Sequence, residues 1–160
     1  MTPQIRPMNS RHKSAIMRIL RSTPEFNPAE VVVAEEVLDS YLRDPLGSGY
    51  HVLVAEVDSS IVGYICYGPT PMTEGTWDIY WLAVAPEEQG QGIGTALLSS
   101  AEAKIKEAQG RLAIIETSSR PQYERTRRFH HRQGYEVVGH IPDFYAPGDG
   151  KLIFQKRLNR

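Results

Sequence analysis

The stretch Gln89-Gly90-Gln91-Gly92-Ile93-Gly94-Thr95 constrains this chain more than any other. Before it lies Thr76–Ala85 (TWDIYWLAVA), an aromatic and β-branched run that reads as a strand and stops at Pro86. After it, Ile93, Leu97, Ala101, Ile105 and Ala108 recur at helical spacing to about Gln109, and Gly110 supplies a helix stop. Arg111–Thr117 (RLAIIET) then reads as a buried strand. Strand, helix and strand in that order make a βαβ unit with parallel strands and a right-handed crossover. Three glycines at alternate positions exceed what a turn needs. They let the backbone approach a ligand closely, and the first N–H groups of the following helix have no internal partner. With the helix dipole, this turn is an anion site suited to a phosphate or pyrophosphate.

The rest of the chain arranges itself around that unit. Gln4–Pro7 reads as a short first strand. Asn9 or Ser10 caps a helix carrying Ala15, Ile16, Ile19 and Leu20. After a turn over Ser22–Pro28, Asn27 caps a second helix with Pro28 in its first position and Val31, Ala34, Val37, Leu38, Tyr41 and Leu42 at helical spacing. Tyr50–Val57 and Ser60–Gly68 form a hairpin about Asp58-Ser59. Tyr123–Gln133 reads as a helix ended by Gly134. Tyr135–Ile141 and Lys151–Leu158 are two more strands, with PDFYAPGDG read as the loop between them. The expected fold is α/β (α+β): one domain over residues 1–160, with a mixed central sheet of six to seven strands and helices on both faces.

At 160 residues the chain is long enough for a real core. Eighteen Lys and Arg against nineteen Asp and Glu, a formal net charge of −1, argue against a dedicated nucleic-acid or membrane binder. The only cysteine, Cys66, sits in the apolar run Ile61–Tyr67 and is expected as a core thiol. Five scattered histidines and no HExxH pattern leave no expected metal site. The residues after Met1 (TPQIRPMNSRHK) lack the apolar stretch of a signal peptide, so a cytoplasmic location is the expectation.

Which phosphate ligand fits is narrowed by what surrounds the glycines. A Walker loop ends in GK(S/T), whereas Gly94 is followed by Thr95-Ala96. A dinucleotide fingerprint wants GxGxxG directly after its strand. Here the spacing is GxGxG and Pro86-Glu87-Glu88-Gln89 intervene, although Glu116 at the end of the next strand is placed as a ribose-binding acid would be. The run Leu82 to Leu98 (LAVAPEEQGQGIGTALL) instead closely resembles the acyl-CoA site of the GNAT acetyltransferase superfamily, (L)xVxPxxQ/RxxGxG/A, at every named position. Phe129-His130-x-x-x-Gly134-Tyr135 resembles the family's L/F-Y-x-x-x-G-F segment, with His130 in place of the usual tyrosine. The order of elements over about residues 4–158 agrees as well.

The resemblance implies an N-acetyltransferase with acetyl-CoA as co-substrate and a primary amine as acceptor, on a protein N-terminus, a lysine or a small molecule. A homodimer would be in keeping with relatives. Leu82, Ala83 and Val84 would pair with the pantetheine arm, and the Val84 N–H would polarise the thioester carbonyl. Gln89, Gly90, Gln91, Gly92, Ile93, Gly94 and Thr95 would hold the pyrophosphate, with Tyr123 and Phe129 as further cofactor contacts. Glu116 and Asp78 are the candidate bases. Asp78 shares strand parity with Tyr80, Leu82 and Val84 provided no bulge intervenes. His130 is the candidate acid for the departing thiolate, as the neutral or the charged imidazole, with Tyr145 or Tyr123 as substitutes. Arg125, Arg128 and Arg132 share a helix face that could meet a cofactor phosphate or an acidic substrate. Trp77, Tyr80 and Trp81 are read mostly as core. The loop from Ile141 to Gly150 resembles the substrate-side loop of relatives that acetylate peptide N-termini. A non-catalytic CoA-binding module and a small NAD(P) oxidoreductase are the alternatives.

Overall fold

Local capping sets the first half of the chain. The Asn27 side chain accepts the Glu30 N–H at 2.8 Å, and Glu30 Oε1 accepts the Asn27 N–H at 3.2 Å. With Pro28 in the first helical position, this capping box starts α2 (Pro28–Arg43). Asn9 does the same for a single 3-10 turn over Ser10–His12, which runs into α1 (Lys13–Ser22). The computed structural model describes residues 2–158. Its other elements are β1 (Gln4–Pro7), β2 (His51–Val57), β3 (Ser60–Pro69), β4 (Thr76–Val84), α3 (Ile93–Glu107), β5 (Leu112–Ser118), α4 (Glu124–Arg132), β6 (Glu136–Ala146) and β7 (Asp149–Arg157).

The strands form one sheet in the order β1-β2-β3-β4-β5-β7-β6, the upper end of the expected range. Every neighbouring pair is antiparallel except β4 and β5, which α3 joins as a crossover. Asp58 and Ser59 both take positive φ, which gives the β2–β3 hairpin a turn whose twist matches its strands. Two cores result. α1 and α2 cover one face, with Ile16, Leu20, Leu38, Val54, Tyr64 and Cys66 buried there. α3 covers the other, where Leu97, Ile105, Trp77, Ile79, Ile115 and Phe154 pack together with Phe129 of α4.

Two sequence expectations change. Cys66 faces Trp81 and Tyr67 faces Ile79, so Tyr80 has no partner on β3. This bulge flips the alternation of β4: Trp77 and Ile79 point to the α3 side, and beyond the bulge Leu82 and Val84 do so. Asp78 therefore does not share a face with Leu82 and Val84. The second change is at residues 141–150, which are not a plain loop. β6 continues to Ala146, which pairs with Asp149 across a tight turn containing Gly148 at φ +81. β6 is an edge strand, so Pro142 costs no ladder hydrogen bond on its outer side. Asp143, at φ +59, forms an irregularity whose carboxylate accepts the Gly148 N–H at 2.8 Å.

Candidate active site

β4 and β5 pair only from Thr76 with Leu112 to Ile79 with Ile115. Beyond that point the two strands part, although β4 runs on to Val84 and β5 to Ser118. On its other side β4 stays paired with β3. The Ala85 N–H donates to Val62 O at 2.8 Å, so by alternation Val84 and Leu82 turn their own N–H and C=O groups toward the opening. The result is a short free strand edge facing a gap. Gln89 Nε2 reaches back to the Val84 carbonyl at 3.3 Å and ties the glycine turn to that edge.

The turn itself is built as its composition demands. Pro86–Glu88 makes one 3-10 turn, then Gly90 (φ +82) and Gly92 (φ +83) take the left-handed region. A Cβ on either would meet nothing within 4 Å, so the backbone here borders open space. The first internal bond of α3 is from the Ala96 N–H to Gly92 O, which leaves the N–H groups of Ile93, Gly94 and Thr95 without a helical partner. Gly94 is needed for another reason: Phe129 of α4 lies against it. Gln133 Nε2 donates to Thr95 Oγ1 at 3.0 Å and joins the end of α4 to the start of α3.

These elements enclose a cavity of about 350 Å³. Leu82, Val84, Ile93 and Phe129 give it an apolar floor, and Gln89, Gly90, Gly92, Gly94 and Thr95 form its rim. Arg125 and Arg132 also line it, whereas Arg128 pairs with Glu124 at 3.5 Å in solvent. Glu25, Glu88 and Thr126 line it too. Sequence reading passed over them because nothing local marks them. The side chains of three expected cofactor residues do not line the cavity. Ala83 is buried in the α1–α2 core, Gln91 is exposed off the cavity, and the Tyr123 hydroxyl donates to the Glu25 carbonyl at 2.6 Å. Burial, with the Glu30 and Glu25 carboxylates, pushes that hydroxyl up to about 12.

His130 lines the cavity but is only 4% exposed. Its ring packs edge-on to Phe154 at 5.3 Å, and Nδ1 has no hydrogen-bond partner among the described residues. Burial, then the neighbouring His131, pulls its pKa down to about 4. Of the two expected forms, burial favours the neutral imidazole at neutral pH, because the aromatic surroundings solvate the cation poorly.

The remaining candidates sit on the opposite face of the sheet. Ala113 and Ile115 point to the α3 core, so Glu116 points away from it. Its Oε1 is 3.0 Å from Lys151 Nζ. Asp78 is paired with Ile114, two residues before Glu116, so both carboxylates issue from one face. Asp78 Oδ2 accepts the Thr70 hydroxyl at 2.7 Å. Burial, then the Asp78 carboxylate, holds the Tyr80 hydroxyl up at about 12. Tyr145 is half exposed beside this group. Burial, followed by Glu116, Asp149 and Glu30, pushes its hydroxyl up to about 12 as well. Glu116 and Asp78 thus share the sheet face opposite the cavity, Tyr145 lies within the field of Glu116, and the opening between β4 and β5 connects the two faces. Among the described residues no group of three or more His, Cys, Asp and Glu is placed to hold a metal ion, and no helix is long and apolar enough to cross a membrane.

Beside this geometry stands a sequence match over most of the chain: the Acetyltransferase (GNAT) family model covers residues 14–135. The chain belongs to the GNAT acetyltransferase family. A GNAT-family structure from Desulfovibrio desulfuricans is 38% identical, with a TM-score of 0.95 over 99% of this chain and 100% of that one. An uncharacterized N-acetyltransferase of Methanocaldococcus jannaschii is 35% identical over 105 residues, 65% of this chain; the match spans 64% of that relative's length. The PaiA N-acetyltransferase of Thermoplasma acidophilum, solved in complex with coenzyme A, shares the fold at 18% identity and a TM-score of 0.77, over 98% of this chain and 99% of its own. Membership of the GNAT family replaces the dinucleotide-oxidoreductase alternative. The GNAT cofactor fits the residues present: the open space over Gly90 and Gly92, the unpartnered N–H groups of α3 and the free edge at Leu82 and Val84 suit a pyrophosphate followed by an amide-bearing arm.

Proposed function

We propose that this protein moves an acetyl group from acetyl-CoA to a primary amine. The observation that carries the reading is the parting of β4 and β5 after Ile79 and Ile115, which joins the cavity on one face to the carboxylates on the other. Bound acetyl-CoA supplies an activated acetyl thioester. The N–H groups of Ile93, Gly94 and Thr95 hold the pyrophosphate, and the Leu82–Val84 edge holds the pantetheine amides by strand addition. The Val84 N–H donates to the thioester carbonyl oxygen, where negative charge develops.

The acceptor nitrogen must lose a proton to attack, because free amines are mostly protonated at neutral pH. Glu116 is the favoured base, since it stands just beyond the point where the strands part. Asp78 lies before the bulge and is held by Thr70, which makes it the second choice. As the N–C bond forms the C–S bond breaks, and the sulfur takes up a proton. That proton comes from water, and His130 of α4, which borders the cavity as a neutral imidazole, offers a ring N–H that hydrogen-bonds the departing sulfur.

That neutral, buried His130 favours a second reading, a module that binds coenzyme A without turnover. Calorimetric titration with coenzyme A, followed by thiol release from acetyl-CoA across an amine panel, separates the two. Binding with release supports the enzyme, binding without release on any amine supports the module, and no binding removes both.

A further inference from the structure

This inference rests on the acetyltransferase reading and concerns the acceptor. Lys151 stands at the start of β7, opposite Ser118, while Glu116 faces Ile153. Lys151 and Glu116 are therefore diagonal neighbours on one face of the β5–β7 ladder. The Lys151 side chain is only 14% exposed, and its Nζ lies 3.0 Å from Glu116 Oε1 and 3.8 Å from the centre of the Phe144 ring. Glu116 itself is 47% exposed. One carboxylate and one aromatic face thus already hold a primary ammonium, at the position from which Glu116 would take a proton from the acceptor.

We propose that Lys151 is a resident stand-in for the acceptor: Glu116 and Phe144 form a site for a primary alkylammonium, and the acceptor enters by displacing the Lys151 side chain. The chemistry of the pair argues for this class. A carboxylate oxygen and a π face suit a compact ammonium on an alkyl stem, and the largely buried Lys151 side chain shows that such a stem is accommodated here. Glu116 is half exposed, so an incoming amine reaches the carboxylate directly from solvent. Tyr145, at 5.0 Å from Phe144 and within the field of Asp149 and Glu30, keeps the surroundings favourable to a cation after Lys151 swings out.

The test follows the Lys151 ammonium by nitrogen NMR of lysine-labelled protein, assigned with Lys151→Arg. Two probes are titrated, n-butylammonium chloride and an acetyl-Gly-Lys-Gly-amide peptide, with sodium chloride as the ionic-strength control. The Lys151 signal is expected to move toward that of a free lysine with at least one probe. The more effective probe tells whether a free amine or a peptide-borne lysine is the better occupant. Lys151→Met should bind that probe about threefold more tightly or better, because the resident competitor is gone. Lys151→Gln serves if Met impairs folding. A Lys151 signal unmoved by about 100 mM of either probe, or a Met or Gln variant that binds no better, overturns the inference. Coenzyme A titrations on the same samples keep the two readings apart. If that binding is lost the cofactor reading falls, and if it persists with an unmoved Lys151 signal, only the stand-in falls.

Discussion

Gly94 and Phe129 meet at the edge of the cavity: a Cβ on residue 94 would stand 3.3 Å from Phe129 Cζ and 3.5 Å from Cε1. The contact locks the first turn of α3 to α4 where the unpartnered N–H groups point at a ligand. Gly94→Ala should therefore push the ring by a few tenths of an ångström and weaken coenzyme A binding about fivefold, a cost of ~1 kcal/mol. Stability should change little, since φ at 94 is not left-handed and alanine favours the helix. Gly92→Ala differs: φ of +83 strains any side chain, so both affinity and melting temperature should fall. Calorimetric titration and thermal melts on the two variants check this contrast.

His130 makes stability depend on pH. Its pKa in the fold is down at about 4, against about 6.5 for an exposed imidazole, so the unfolded chain binds the proton more readily. The folded state is favoured fully above about pH 6.5 and loses up to ~3 kcal/mol as pH falls from there to about 4. His12 and His51 are lowered by burial too and add to the same trend. His130→Phe should flatten most of the slope and be more stable than the parent at pH 5. Urea denaturation at pH 5 and pH 8 measures it, and an unchanged slope would reject the assignment.

Glu116→Gln keeps the shape of the side chain and removes the base. Turnover should fall about a hundredfold or more, the usual range for losing a general base, while coenzyme A binding holds because Glu116 does not line the cavity. Asp78→Asn should cost less, its main partner being Thr70. Steady-state rates together with coenzyme A titrations read both. An equal or larger loss at Asp78 would move the base to that residue.

Glu102 is a carboxylate buried on α3, accepting the Tyr135 hydroxyl at 2.8 Å and pairing with Lys156 at 3.0 Å. This trio ties α3 to β7 beneath the site, and burial with the Glu102 charge raises the Tyr135 hydroxyl. Tyr135→Phe should cost ~1 kcal/mol, one hydrogen bond. Lys156→Met should cost ~2 kcal/mol, more than a surface pair, because it leaves a buried carboxylate short of a partner. Chemical denaturation gives both values, and a neutral Lys156→Met would show the pair to be dispensable.

Nearby residues encode the order of elements, the caps at Asn9 and Asn27, the Asp58-Ser59 hairpin and the glycine turn before α3. Each of these is set by residues a few positions apart: a side chain satisfying a nearby N–H, a proline fixing φ, a glycine accepting a left-handed one. Leu82 and Val84 came instead from the likeness of the run Leu82 to Leu98 to the GNAT motif, a pattern that is likewise contiguous in the chain. Long-range packing sets the remaining features. The bulge at Tyr80 depends on the register β4 takes against β3. The meeting of Lys151 with Glu116 depends on β7 pairing with β5, across many residues of chain. The neutrality of His130 depends on Phe154 and Tyr135 closing around it. Cross-strand register and burial are settled by packing between distant segments, and no local preference encodes them.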